Sequence, residues 1–279
     1  MQHPYRPSTS PHTPSHNAGM TLVELLVAAA LMGVLMLAFT QVFGGSLRAS
    51  GELNARNELL SEAQIAQQFV AAKLQNAFYV YPSGSAIQLS QSGATTQNTT
   101  RSGAGQQWRV GTDPFIALLL PPTGRGQCPA NAASTSVKNA NRQFCFTFHA
   151  FYPVHRGTLV RSGLASAPPH DPQNDDTWVL MEYRANLFDG VDRTLDQVAQ
   201  PPLDRPDLYR SRSAQMLADY VQPTTLAPRY TMFSTDEQGG TVYSVAFELR
   251  MLQRRVGKAL TAPAGLAPLS TRVYPRNVP

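Results

Sequence analysis

Apolar and polar positions divide the chain into unlike stretches. Residues 1–19 are polar and rich in proline and histidine, with Arg6 as their only fixed charge. From Met20 to Phe43 almost every residue is apolar, and Glu24 is the only ionisable one. A bilayer-spanning helix needs about 20 apolar residues, so this run is long enough to cross a membrane. From Leu47 to about Ala77 the pattern becomes amphipathic. Leu59, Ala63, Ala66, Val70, Leu74 and Ala77 recur at steps of three and four, the period of one helix face. Ala, Leu, Glu and Gln, all good helix formers, fill most of the rest. Gly44, Gly45 and Gly51 interrupt the middle, where a bend or local melting is expected. Pro82, with Ser83 and Gly84 behind it, predicts a firm stop. A single helix from Leu22 to Ala77 would be roughly 80 Å long.

Beyond Pro82 the period drops to two. Phe144, Phe146 and Phe148 alternate with Cys145, Thr147 and His149. Val245, Phe247, Leu249 and Met251 alternate with Ala246, Glu248 and Arg250. Both read as half-buried strands with one face inward. Further strands are expected at Trp108–Val110, Phe115–Leu120, Thr177–Arg184, Tyr230–Phe233 and Thr271–Tyr274. Ser213–Val221 reads as a short helix with Met216, Leu217, Tyr220 and Val221 on one side. Residues 91–107, 121–143, 161–176 and 189–212 are loop-like, rich in Ser, Gly, Asn, Pro and Thr. The expected fold class is α+β: a long N-terminal helix, half for a membrane and half amphipathic, packed on an antiparallel β-sheet head with long loops. The stripe from Leu59 to Ala77 is expected to bury against the odd-numbered face of Val245–Met251.

Glu24 raises the question of chemistry. A carboxylate in an apolar span is costly and marks function by default, with a partner to be found. The order of segments differs from that of a secretory signal, in which the cleavage site follows the apolar core. Here the small residues Ala18-Gly19 precede it, so cleavage there leaves the core on the product, which starts at Met20 with a new amine four residues from Glu24.

The sequence Gly19-Met20-Thr21-Leu22-Val23-Glu24-Leu25-Leu26-Val27-Ala28 resembles the prepilin motif of type IV pilins and type II secretion pseudopilins. The resemblance implies that a membrane aspartyl prepilin peptidase cuts after Gly19 and that the amine of Met20 is methylated. It implies that Glu24 is the fifth-position assembly carboxylate, meeting the amine of a neighbouring subunit in a filament. Where the family most often has Phe, this chain has Met20. The segment Met216–Val221, then Tyr230-Thr231-Met232-Phe233 and the strand to Arg250, resembles the minor-pilin group called PilW and its secretion counterpart PulJ. The ending Val273-Tyr274-Pro275-Arg276-Asn277 is similar to the Arg-Asn ending of that group. Residues 85–175 resemble neither.

The domain layout expected is a leader at 1–19, a membrane and assembly helix at 20–43, an amphipathic helix half at 44–80, and an extracytoplasmic β-rich head at 81–279. The resemblance implies a single-pass inner-membrane protein with its head in the periplasm, later at the pilus surface. Its partners would be the prepilin peptidase, inner-membrane lipid, and other major and minor pilins. The role is then structural, in pilus assembly or initiation; a minor pseudopilin, or a pilin-stalked adhesin or DNA-binding module, is the alternative.

Composition adjusts this picture modestly. Only 15% of residues are charged, while Pro (22) and Gly (19) are plentiful, which suits a loop-rich exported domain. The net charge of +5 falls to +4 without Arg6, too mild to indicate nucleic acid by itself. Two cysteines, Cys128 and Cys145, fit a disulfide in an exported chain, worth roughly 3 kcal/mol by loop entropy. Their alternative is a pair of buried thiols, and they lack zinc spacing. No nucleophile-elbow, metallopeptidase or phosphate-loop motif is present, so the chain reads as no enzyme, with no catalytic residues, metal or cofactor. His149 and His155 read as ordinary polar positions. Asp171, Asp175 and Asp176 form an acidic loop without EF-hand spacing. Trp108, Trp178 and the Phe144, Phe146, Phe148 row read as core. Arg250, Arg254, Arg255 and Lys258, with Arg276 near the end, form a basic group whose DNA contact is the lesser reading beside a solvated turn.

Overall fold

The architecture comes from a computed structural model, which describes residues 21–89, 93–121, 147–187, 209–255 and 257–276, without the side chains of 186, 187 and 209–212. Two compact units are present, Met1–Gly51 and Glu52–Pro279. Helix α1 spans Leu22–Gln75 without interruption, passing through Gly44, Gly45 and Gly51. The expected local melting at those glycines is therefore not found. The helix-forming residues on either side outweigh the three glycines, each costing about 1 kcal/mol relative to Ala.

In the second unit the strands are β1 (Tyr79–Val80), β2 (Ala86–Gln88), β3 (Gln107–Arg109), β4 (Ile116–Leu120), β5 (Thr147–His155), β6 (Trp178–Leu187), β7 (Tyr209–Val221), β8 (Phe233–Gln238), β9 (Thr241–Leu249), β10 (Met251–Arg255), β11 (Lys258–Ala262) and β12 (Leu269–Val273). A short helix α2 (Arg156–Arg161) follows β5, and one 3-10 turn covers Pro172–Asn174. A seven-stranded sheet runs β1-β4-β5-β6-β7-β10-β11, a three-stranded sheet β12-β9-β8, and β2 pairs with β3. Every pairing is antiparallel. The α+β arrangement expected from the sequence, a long apolar N-terminal helix with an antiparallel sheet, is what the chain adopts.

The predicted helix stripe is the buried one: Leu59, Ala63, Ala66, Val70, Leu74 and Ala77 are each at most 3% exposed. Val245, Phe247, Leu249 and Met251 are fully buried in the same core. Contacts of the helix reach more than that strand. Gln67 Nε2 donates to the Phe247 carbonyl at 3.4 Å, the Phe69 ring meets Phe151 of β5 edge-on at 6.3 Å, and Glu62 Oε1 accepts the Asp219 N–H of β7 at 2.6 Å. The inner face of the seven-stranded sheet thus shares the stripe with β9. Arg250 sits where one run of chain leaves the smaller sheet and enters the larger. Its Nε donates to Gln222 Oε1 at 2.9 Å, and its carbonyl accepts the Gln222 N–H at 2.7 Å.

Two sequence expectations change here. Residues 213–221 are not a helix but the end of β7, paired with β6 from Leu187↔Tyr209 to Trp178↔Val221. The apparent helical spacing arises because register shifts next to Trp178, Leu180 and Arg184 break the two-residue period. β5 is also not half-buried: from Phe148 to Val154 both faces are covered. Phe148, Ala150 and Tyr152 face a second aromatic layer in which Trp108 stacks on Phe115 at 5.6 Å and lies 4.8 Å from Tyr152. Phe151 faces the helix. Tyr230–Met232 is irregular, and β8 begins only at Phe233. Phe144, Cys145 and Phe146 lie outside the described residues.

Candidate functional site

The candidate site is the start of α1. Thr21 holds the N-cap position and Glu24 the third helical position, and the two bond reciprocally. Thr21 N–H donates to Glu24 Oε2 at 3.0 Å, Thr21 Oγ1 donates to the same oxygen at 3.0 Å, and the Glu24 N–H donates to Thr21 Oγ1 at 3.3 Å. This is a capping box, which satisfies two backbone donors that a helix start leaves free. The negative charge also lies at the positive end of the helix dipole. Thr21 was not singled out from the sequence, although Thr-x-x-Glu ahead of an apolar run is the signature that would have found it.

Glu24 is therefore hydrogen-bonded within its own helix. Its charge remains without a cation among the described residues. From Leu22 to Phe43 the side chains are exposed all round, with Leu22 at 80% and Phe43 at 52%. An 18-residue window reaches a mean hydropathy of 2.5 and none of it is buried. A helix that is apolar on every side and has no protein cover belongs in lipid or among other helices. Thr40 hides its hydroxyl by donating to the Met36 carbonyl at 2.5 Å, so it does not break the apolar surface.

Gly19, Met20, Cys128 and Cys145 lie outside the described residues, so the cleavage position and the cysteine pairing are not seen. The basic residues do not form one open patch. Arg250 is 3% exposed and bonded to Gln222 and the Gly265 carbonyl. Arg254 pairs with Asp176 at 2.5 Å, Arg255 bonds Gln253 at 2.8 Å, and Lys258 pairs with Glu52 at 2.5 Å. Arg254 and Lys258 are thus matched by carboxylates, while Arg250 and Arg255 bond neutral acceptors and keep their charge.

The acidic loop is likewise divided. Asp171 accepts from Asn174, Asp175 lies 3.6 Å from Arg156, and Asp176 holds Arg254. Arg156 is fully buried. Its Nε donates to both oxygens of Asp219 at 3.0 and 3.1 Å, its Nη2 donates to the Pro169 carbonyl at 2.5 Å, and the guanidinium covers the Tyr220 ring at 4.9 Å. Burial raises the Asp219 carboxyl above its usual range despite that partner. Burial also raises Glu62, which faces Asp219 across the helix–sheet contact.

His149 is buried against Glu182, Nδ1 to Oε1 at 2.8 Å, while Gln215 donates to the other oxygen at 2.5 Å. Burial lowers the imidazole pKa, with Glu182 opposing and Lys73 and Arg184 reinforcing the shift. Trp108 and Trp178 are both core residues. Among the described residues no group of three His, Cys, Asp or Glu side chains is placed to hold a metal.

Comparison with known proteins adds one match. Residues 14–40 match the family model described as the prokaryotic N-terminal methylation motif. That span contains Gly19, Met20, Thr21 and Glu24 and most of the exposed apolar helix. The match supports a type IV pilin-like or pseudopilin-like protein, processed by a prepilin peptidase and assembled with other pilins. No curated protein and no solved structure matches the chain.

Proposed function

We propose that this chain is a minor pilin of a type IV pilus, of the PilW-like group, that helps to initiate or cap the filament. The observation that carries the reading is the methylation motif at residues 14–40, lying on a helix start whose Glu24 is capped and whose apolar surface is bare. A prepilin peptidase cuts between Gly19 and Met20, and a glycine-only subsite explains Gly19, since any Cβ would clash there. The amine of Met20 is then methylated, and the head, residues 81–279, sits in the periplasm.

Glu24 has two tasks in this scheme. In the isolated subunit its Oε2 accepts both Thr21 donors and caps the helix, which satisfies hydrogen bonds but leaves the charge unmatched in lipid. In the filament the methylated amine of a neighbouring subunit supplies the missing cation. The gain on docking is the removal of an unpaired charge from an apolar surrounding, which drives assembly without any enzyme chemistry. In the periplasm Cys128 and Cys145 close a disulfide loop. Support for the minor role comes from the size and β content of the head and from the resemblance of Met216–Val221 and Tyr230–Phe233 to the PilW-like group.

The test is mass spectrometry of the N-terminus of the protein taken from its native membrane. The expected product begins with N-methylated Met20, and an intact Met1 would overturn the export route. Gly19→Val is expected to leave the chain at full length on an immunoblot. Deleting the gene distinguishes the two filament systems: loss of surface pili supports the pilus reading, and loss of secreted proteins with pili intact replaces it with a type II secretion pseudopilin.

A further inference from the structure

Strand β7 is paired on one side only for most of its length. β6 holds its inner side from Tyr209 to Val221. On the outer side, among the described residues, the single register pair is Val221↔Met251, where β10 begins. β10 then turns to another partner. The Arg254 N–H donates to Asn174 Oδ1 at 2.6 Å, and the Arg254 carbonyl accepts from Asn174 Nδ2 at 3.0 Å, so a side chain stands where a strand would. Tyr220 takes a positive φ of 53°, and the Asp219 N–H goes to Glu62 of α1. From Ser213 to Ala218 the outer side of the backbone has no partner among the described residues. Strand N–H and C=O groups alternate between the two sides, so this stretch presents a row of outward donors and acceptors. Ser213, Gln215 and Met216 are exposed. Sheet edges are usually blunted by charges, proline or a covering element, and residues 213–218 carry neither a charge nor a proline.

An open groove of about 510 Å³ runs beside this edge, lined by Asn57, Glu58, Ser61, Glu62, Ile65 and Leu217. Ile65 and Leu217 give it an apolar floor. Glu58 and Glu62 give it negative charge, and neither forms an ion pair among the described residues.

These features select the occupant. A helix has spent its backbone groups internally and cannot pair with a strand edge. An extended segment can. Its backbone continues the ladder, an apolar side chain covers Ile65 and Leu217, and a Lys or Arg meets the two carboxylates. A second copy of this chain fits poorly. The outer strands of its two larger sheets hold their cations already, Lys258 of β11 on Glu52 and Arg272 of β12 on Asp236. The methylation motif supports assembly with other pilins, which supplies the source. We infer that the outer edge of β7 receives an extended, basic and apolar segment of a different, neighbouring pilin, which adds a strand to the large sheet. The identity of the partner rests on the pilin reading above; the docking edge does not.

The test places the photoreactive residue p-benzoylphenylalanine at Met216 or Ile65 of the full chain in its native cells, with Tyr243, exposed on β9, as comparison. Pili are irradiated and sheared, and adducts are read by mass spectrometry. Met216 and Ile65 are expected to capture one other protein that carries the methylation motif, within a single stretch of about ten residues, and Tyr243 is not expected to capture that stretch. Glu58→Lys should lower both yields at least about tenfold while leaving the melting point unchanged, because it repels the basic residue. Amides of residues 213–218 should exchange hydrogen at least about tenfold more slowly in pili than in the chain in detergent, since pairing protects them. Capture of a second copy, of a protein without the motif, or of nothing overturns the assignment. So do equal capture of that stretch from Tyr243, yields unaffected by Glu58→Lys, or unchanged exchange. The N-terminus is read in the same samples: methylated Met20 with any of these failures removes the strand docking alone, while an intact Met1 removes the pilin reading.

Discussion

Replacing Arg156 with Met should destabilise the head by removing the cation that holds three segments together. The side chain is 0% exposed, so nothing from solvent replaces it. Its loss leaves Asp219, itself 7% exposed, without the Nε–H that both of its oxygens accept. The Pro169 and Asp171 carbonyls lose their donors, and Asp175 loses its nearest cation. Removing one partner of a buried ion pair costs about 3–5 kcal/mol, mostly as the penalty on the charge left behind. For a domain of this size each kcal/mol moves the melting point by about 2–4 °C, so the expected drop is roughly 6–20 °C. The assay is thermal unfolding of the full chain in detergent, followed by near-ultraviolet circular dichroism at pH 7. The double variant Arg156→Met with Asp219→Leu removes both charges and should recover much of the loss. At pH 5 the single variant should also regain part of it, because burial already raises Asp219 and the unpaired carboxyl takes up a proton. A drop of under about 2 °C in the single variant, or a double variant no better than the single, would refute the reasoning.

Other outcomes follow from the same geometry. His149, lowered by burial from 6.5, binds its proton less readily folded than unfolded, so its effect is absent above about pH 6.5 and destabilises as pH falls below it. Glu62 and Asp219, raised by burial, slope the opposite way in both proteins, so between pH 7.5 and 5.5 the melting point of wild type should move further downward, or less far upward, than that of His149→Gln. Glu24→Gln keeps an oxygen for the Thr21 cap but removes the charge, and Thr21→Val does the reverse. Sheared pilus fractions should contain Thr21→Val at near wild-type level and little Glu24→Gln, and the opposite ranking would make capping rather than charge the task of Glu24. Gly157→Ala would bring a Cβ to 3.0 Å from the Asp175 carbonyl and 3.1 Å from Arg161 Nη1. A cost of about 1–3 kcal/mol in chemical denaturation is expected from that crowding, and an unchanged midpoint would exclude it.

What the sequence could determine is whatever repeats locally. The stripe from Leu59 to Leu74 follows from a period of 3.6, because helix geometry alone decides which side chains share a face. The alternation from Val245 to Met251 revealed a strand for the same reason, and the methylation motif at residues 14–40 is a linear segment. The capping box was legible too, as Thr21 and Glu24 are three residues apart. Tertiary structure decided the rest. β7 became a strand because β6 offered it a ladder of backbone partners, which outweighs a weak helical spacing. Arg156 meets Asp219 across 63 positions, and Arg254 meets Asp176 across 78, so neither ion pair nor the division of the basic group shows in the sequence. A cleft of about 680 Å³ on the head joins residues near 101, 155–161 and 175 that no local pattern relates. Hydrogen bonds and charges act over a few ångströms of space, and only the folded chain sets which distant residues come that close.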